Sequence, residues 1–182
     1  MKVLITGDQG YIGSVLTSEL IKRGYEVIGY DIGFYSENIL LPYDQSYIKI
    51  KKDIRDVDRQ DLSGVDAIIH LAGLSNDPLG EFAPSLTEEI NFYGTIKVAE
   101  LAKKIGVARF VYSSSQSMYG VSETDEELDE DDSDKNPVTA YARTKWQAEL
   151  ELKKMNTDDF CVTCFRPSTV FGASPRLRCD IV

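Results

Sequence analysis

Two hydrophobic periods alternate along this chain, and that alternation restricts its fold more than any other feature. Strand-sized apolar runs at residues 2–6, 26–30, 47–50, 66–72, 108–114 and 159–165 are interleaved with segments of helical period at roughly 11–23, 85–105 and 139–155. The runs are rich in Val, Ile and Leu and lack an in-and-out alternation, which suits strands covered on both faces. Strands of that kind joined by helices form a parallel sheet with crossover helices, so a doubly wound α/β domain is expected. A chain of 182 residues is long enough to bury a core without disulfides or a structural metal. No internal repeat or flexible linker interrupts the pattern, and a single domain is the economical reading.

The longest apolar stretches are strand-sized, and MKVLITG enters a core-like strand without the apolar block of a signal peptide, so a cytoplasmic location is expected. Cys161, Cys164 and Cys179 are an odd, clustered set that suits a reducing compartment better than a disulfide framework. A net charge of −10 argues against non-specific nucleic-acid binding. Nine acids without a base fall within residues 123–134, leaving 21 acids against 20 bases elsewhere. That run reads as a solvated, self-repelling surface loop rather than a cation site.

Directly after the first strand comes Gly7-Asp8-Gln9-Gly10-Tyr11-Ile12-Gly13, opening a segment whose Ile12, Val15, Leu16 and Leu20 keep helical spacing. Gly7 permits a tight turn, Gly10 lets backbone approach a pyrophosphate, and Gly13 lets the helix pack close. The free amides at the helix start attract the anion. Eighteen residues beyond Gly13, Asp31 ends the second strand, where a carboxylate can accept both ribose hydroxyls and repel a 2′-phosphate. A Rossmann site for NAD rather than NADP follows. Asp8 is at odds with an anion site, a conflict that costs little if its carboxylate points to solvent.

Tyr141-Ala142-Arg143-Thr144-Lys145 places a phenol and an ammonium one helical turn apart. Bringing a tyrosine from a pKa of ~10 to about 7 needs roughly 4 kcal/mol, and a cation ~4 Å away at an effective dielectric of ~20 supplies that scale. Tyr141 is then a candidate general base. Such a spacing also arises by chance, so it needs corroboration. The serine-rich stretch Ser113 to Ser117 offers it, at the carboxyl end of a predicted strand where doubly wound sheets place ligands.

Together the glycine triad, Asp31, the serine strand-end and Tyr-x-x-x-Lys resemble the extended short-chain dehydrogenase/reductases, the NAD-dependent epimerases and dehydratases of nucleotide sugars. The resemblance covers nearly the whole chain and implies an N-terminal cofactor domain over residues 1–172. It makes Ser115, Tyr141 and Lys145 the catalytic set, with Ser115 bonding the sugar oxygen and Lys145 also holding the nicotinamide ribose. It adds Tyr11 and Ile12 to the glycine cradle, puts Asp53 and Ile54 beside the adenine, and puts Leu71, Ala72 and Gly73 beneath the nicotinamide-side ribose. Ser113 and Pro167 complete the cofactor contacts. Ser75, Asn91, Ser115, Gln116 and Thr169 are implied to meet the substrate, although many members carry Asn where Thr169 stands.

Gln116-Ser117 replaces the Asp-Glu pair of the family's dehydratases and the Glu of its decarboxylases. What remains resembles the 4-epimerases, nearest to UDP-glucose 4-epimerase, with a UDP-hexose as substrate. In that chemistry Tyr141 takes the hydroxyl proton as hydride passes to NAD, the ketone turns over, and hydride returns to the other face without a metal. The alternatives are a nucleotide-sugar reductase or dehydrogenase, or a catalytically silent NAD-binding module. After residue 172 the family continues into a substrate-binding domain, of which residues 173–182 would be the start, so weak or absent turnover by this chain is expected.

Quieter signals receive structural readings. Cys161 and Cys164 face opposite sides of a strand and are expected to be buried, and His70 is expected to be a packed strand residue. Ile90, Ile96, Val98 and Leu101, with Ala148, Leu150 and Leu152, exceed a narrow apolar stripe; the family pairs these helices across a homodimer, which is the expected assembly.

Overall fold

A computed structural model describes residues 1–37, 39–75, 77–121, 127–176 and 178 of the chain. Its strands are β1 (Lys2–Thr6), β2 (Glu26–Asp31), β3 (Ile48–Lys51), β4 (Ala67–His70), β5 (Arg109–Ser113) and β6 (Cys161–Phe165). Its helices are α1 (Tyr11–Lys22), α2 (Asp77–Phe82), α3 (Pro84–Glu88), α4 (Thr95–Ile105) and α5 (Ala140–Met155). All six strands are parallel in the order β3-β2-β1-β4-β5-β6, the doubly wound arrangement the alternation predicts. Chain order reverses at β1, so a crevice opens over its carboxyl end between β2 and β4.

Successive side chains of β1 feed two cores, as the strand period of two requires. Leu4 joins Tyr30, Ile68, Phe110, Tyr112 and the inner faces of α4 and α5. Val3 and Ile5 point the other way and join Val27 with Leu20 and Ile21 of α1. The outer strands escape this double cover. β3 and β6 are edges with mostly exposed or half-buried residues. Cys161 is therefore exposed and Cys164 half-buried, which corrects the expectation of two buried cysteines; Cys179 lies outside the described residues.

The helical period over 85–105 resolves into α3, a wide turn over Glu89–Gly94, and α4. Pro84 opens α3 at its first turn, where a missing N–H costs nothing. Thr139 caps α5 by accepting from the Ala142 amide. Of the acidic run, Glu123, Asp125 and Glu126 lie outside the described residues, while Glu127, Asp129, Glu130, Asp131, Asp132 and Asp134 are exposed, as a solvated loop should be. No helix among the described residues is long and apolar enough to cross a membrane.

Candidate active site

The carboxyl ends of β1, β2, β4 and β5 open into a cleft of about 750 Å³. That lies within the range of a small-molecule or cofactor site. Its floor is the turn from β1 into α1. Gly7 has φ +75°, a left-handed conformation that side chains resist. A Cβ on Gly13 would fall 2.0 Å from the Gly7 carbonyl oxygen, so only glycine lets α1 begin this close to the turn. No side chain caps α1 at Gly10, and its first-turn amides face the cleft with the positive end of the helix dipole behind them. This is the geometry of a phosphate cradle, and Gly7, Gly10, Tyr11, Ile12 and Gly13 all line it.

Asp31 sits at the end of β2 with its carboxylate fixed by the Gly33 amide at 2.7 Å and the Gln9 amide at 3.3 Å. Asp53 also faces the cleft, gripped by Arg55 through the backbone amide at 2.8 Å and the guanidinium at 2.8 and 3.1 Å, and Ile54 follows it. Asp8 does not take the low-cost, solvent-facing position. Its side chain is fully buried rather than solvent-directed, lying where a Cβ on Gly29 would stand, and Oδ2 accepts from the Tyr47 phenol at 2.7 Å. Burial pushes its carboxyl up to about 6, only partly countered by the Tyr47 hydrogen bond and reinforced by nearby Asp31.

Leu71, Ala72 and Gly73 form the wall beyond β4. His70 braces that wall from inside. It bonds the Thr6 hydroxyl at 2.8 Å through Nδ1 and the Thr95 hydroxyl at 2.9 Å through Nε2. Thr95 donates to the Asn91 carbonyl and Thr6 accepts from the Ala72 amide, so the imidazole is neutral with its proton on Nε2. Desolvation, aided by Lys145, pushes it down to about 3. His70 is the packed strand residue the sequence suggests.

Asn91 is placed behind the wall rather than on it. It is buried, accepts from the Leu74 amide at 2.7 Å and donates to the Leu74 carbonyl at 2.9 Å. The substrate contact expected of Asn91 is thus corrected to a clamp on the loop after β4. The wide turn in the helix carries Asn91 inward, a distortion of the kind that clusters at functional sites.

Opposite the cradle, Tyr141 and Lys145 project from the first turns of α5 into the same cleft. Lys145 Nζ donates to the Ser113 carbonyl at 2.8 Å and lies 4.8 Å from the Tyr112 ring centre and 5.8 Å from that of Tyr141. Burial lowers its ammonium to about 8, so it stays mostly charged at neutral pH. At the ring-centre distance and a dielectric of ~20 the attraction to a phenolate is about 3 kcal/mol, close to the sequence-based figure. Ser115 lines the cleft while its Oγ accepts from the Ser117 amide at 3.1 Å, capping the short helical turn Gln116–Tyr119. Ser75, Ser113, Gln116, Pro167 and Thr169 line the cleft as well.

The sequence reading missed Tyr35, Arg176 and Arg178, which also face this cleft. Tyr35 lies in an irregular loop after β2, and the arginines lie past the last periodic element, so no hydrophobic pattern marks them. Among the described residues no cluster of His, Cys, Asp and Glu is arranged to hold a metal ion.

Comparison with known proteins agrees with this geometry. The chain belongs to the NAD dependent epimerase/dehydratase family, whose model matches residues 3–180. It is 31% identical over 195 residues to the UDP-glucose 4-epimerase of Bacillus subtilis, covering 98% of this chain and 55% of the relative. Among solved structures it resembles MoeE5 in complex with UDP-glucose and NAD (29% identity, TM-score 0.77, 91% of this chain, 54% of that one). It also resembles TunA, an NAD dependent NDP-hexosamine 5,6-dehydratase (25% identity, TM-score 0.80, 91% and 54%). The chain spans about half the length of most of the curated relatives it matches. NAD is the family's cofactor, and the uncapped helix start, the glycine floor and the oriented Asp31 fit a dinucleotide.

Proposed function

We propose that this chain is the cofactor-binding and proton-transfer portion of a nucleotide-sugar 4-epimerase acting on a UDP-hexose. One observation carries the reading: Tyr141, Lys145 and Ser115 share a single cleft with the glycine cradle, and Gln116 and Ser117 stand at its mouth where a dehydratase needs carboxylates. When bound, the nicotinamide supplies a reversible hydride acceptor. Tyr141 removes the proton of the sugar hydroxyl and later returns it. Lys145 stabilises the phenolate and, with Ser113, holds the nicotinamide-side ribose. Ser115 donates to the reacting sugar oxygen, giving up the bond it donates to Ser117 Oγ at 3.1 Å, and Thr169 and Ser75 face the sugar. The same reading carries a boundary near residue 172, with the remainder of the substrate site supplied by sequence of the kind that completes the longer relatives. It also carries a cytoplasmic homodimer.

The test is a single turnover with NAD-loaded protein that also carries the substrate-binding part completing the longer relatives, in excess over UDP-glucose or UDP-galactose. Interconversion of the two sugars without lasting reduced-nicotinamide absorbance, lost in Tyr141→Phe, is the expected result. Accumulated reduced nicotinamide with a keto-sugar would replace it by the dehydrogenase reading. Tight NAD binding with neither sugar altered would favour a silent cofactor-binding module.

A further inference from the structure

The described residues Gly172–Arg176 and Arg178 do not leave the domain but lie back across the cleft. Tyr11 donates its phenol proton to the Gly172 carbonyl at 2.6 Å, and Ser174 Oγ donates to the Tyr11 carbonyl at 2.7 Å while lying 3.3 Å from Ser14 Oγ. These pins sit on the first turn of α1, the turn that forms the phosphate cradle. On the β2 side the Leu40 amide donates to the Pro175 carbonyl at 2.8 Å, and Ile39 pairs with Arg176. On the β4 side Arg178 donates to Ser75 Oγ at 3.1 Å and to its carbonyl at 3.3 Å. The strap therefore spans β1 from one half of the sheet to the other, above the glycine turn.

A dinucleotide brings two negative phosphates to this place. The cradle meets them with backbone amides and about half a positive charge of helix dipole. The first turn of α1 holds no basic side chain, and Asp8 and Asp31 lie close by. Among the described residues four bases line the cleft. Lys52 is held by Asp58 at 2.6 Å and Asp61 at 2.8 Å, and Lys145 is buried at the far end against Ser113. Arg178 is engaged on Ser75. Arg176 is different: its guanidinium lies flat on the Tyr35 ring, 3.2 Å from the ring centre, and among the described residues no carboxylate pairs with it. A stacked guanidinium is held in orientation while its N–H edges stay available for a bidentate anion.

We infer that Arg176, positioned by the strap and by Tyr35, is a phosphate-binding residue that closes over the diphosphate of the bound dinucleotide. This rests on the cleft being the NAD site, and the experiment separates the two. Calorimetric titrations are run with adenosine, ADP, NAD and NADP on the native chain, Arg176→Ala and Arg176→Gln. Loss of one charge-assisted contact is expected to weaken ADP and NAD by about 10- to 100-fold while adenosine changes by less than about twofold, which also shows that the pocket stays folded. Arg176→Gln keeps the side-chain length and is expected to show the same loss; should only one variant fold, that variant decides. NAD binding unchanged in the folded variant, or a loss confined to NADP, would overturn the assignment, the second by placing the guanidinium at the ribose 2′-position. Failure of the native chain to bind NAD at all would instead sink the cofactor reading on which it rests.

Discussion

Asp8, buried behind the glycine turn, and Lys145, in the cleft wall, are both buried ionisable groups, and burial moves them in opposite senses. The Asp8 carboxyl is raised from 3.8 to about 6, chiefly by desolvation, and the Lys145 ammonium is lowered from 10.5 to about 8 by the same cause. Because the folded state binds the Asp8 proton more tightly, the stability tied to it is complete below about pH 4 and is lost as pH rises through 6. Its ionised form costs about 3 kcal/mol at neutral pH. Tyr47, Tyr43, Asp31 and Lys49 face or feel this carboxylate, and none is a strong buried counter-charge. Asp8→Asn keeps an acceptor for the Tyr47 phenol and removes the charge. It is expected to be more stable than the native chain by about 1–3 kcal/mol at pH 7.5, to match it near pH 4, and to lose the slope between. Denaturant unfolding across that pH range checks this, and an unchanged difference at the two ends would refute it. Lys145 has the opposite sign, its charge costing stability below pH 8, and that cost is the price of a cation beside Tyr141.

At the scale of elements, the sequence displays what is periodic and hides what is held by single contacts. The four inner strands were legible because burial on both faces leaves uninterrupted Val and Ile runs, the edge strands β3 and β6 as apolar runs of strand length, and the main helices by their period. α2 was not legible, being six residues without a repeat. The glycine spacing disclosed the cradle, but the direction of the Asp8 side chain depends on Tyr47, 39 residues away, and on the absence of a Cβ at Gly29. Asn91 showed the same limit, since only the wide turn reveals that it faces Leu74. A comparable long-range contact ties α5 to β6. Glu149, 1% exposed, accepts from Arg166 Nη2 at 2.6 Å and from Nε at 3.2 Å. Burial, the largest single influence, would raise the Glu149 carboxyl, but the Arg166 pair, aided by Ser114 and Lys153, outweighs it and holds it below the ordinary value. Arg166 also bonds the Tyr119 hydroxyl and the Glu130 carbonyl, so it links the serine turn to the acidic loop. Arg166→Ala is expected to cost about 3–5 kcal/mol in unfolding free energy by stranding Glu149, with Lys153 too exposed to replace the partner. Arg166→Met with Glu149→Leu should recover most of that loss; a double variant as unstable as the single would contradict the argument.

For the whole molecule, the apolar surplus that suggested a dimer is divided by the structure. Val98, Ala148 and Leu152 are buried in the domain's own core and offer nothing to a partner. Leu86, Tyr93 and Leu150 remain 37%, 59% and 40% exposed on α3, the wide turn and α5, three elements that pack together. A stable interface needs about 800 Å² from each partner, more than these three side chains expose, so a dimer through this face must also enlist its polar rim. One charge among so few exposed apolar side chains should then suffice to break it. At micromolar concentration the native chain is expected to scatter light as a dimer and Leu150→Glu as a monomer, with NAD affinity unchanged because the cleft lies at the carboxyl ends of the strands, away from this helix face. A native monomer would remove the dimer from the proposal, and a dimer that survives Leu150→Glu would move the interface to other exposed apolar side chains, such as Phe82, Phe165 and Phe171.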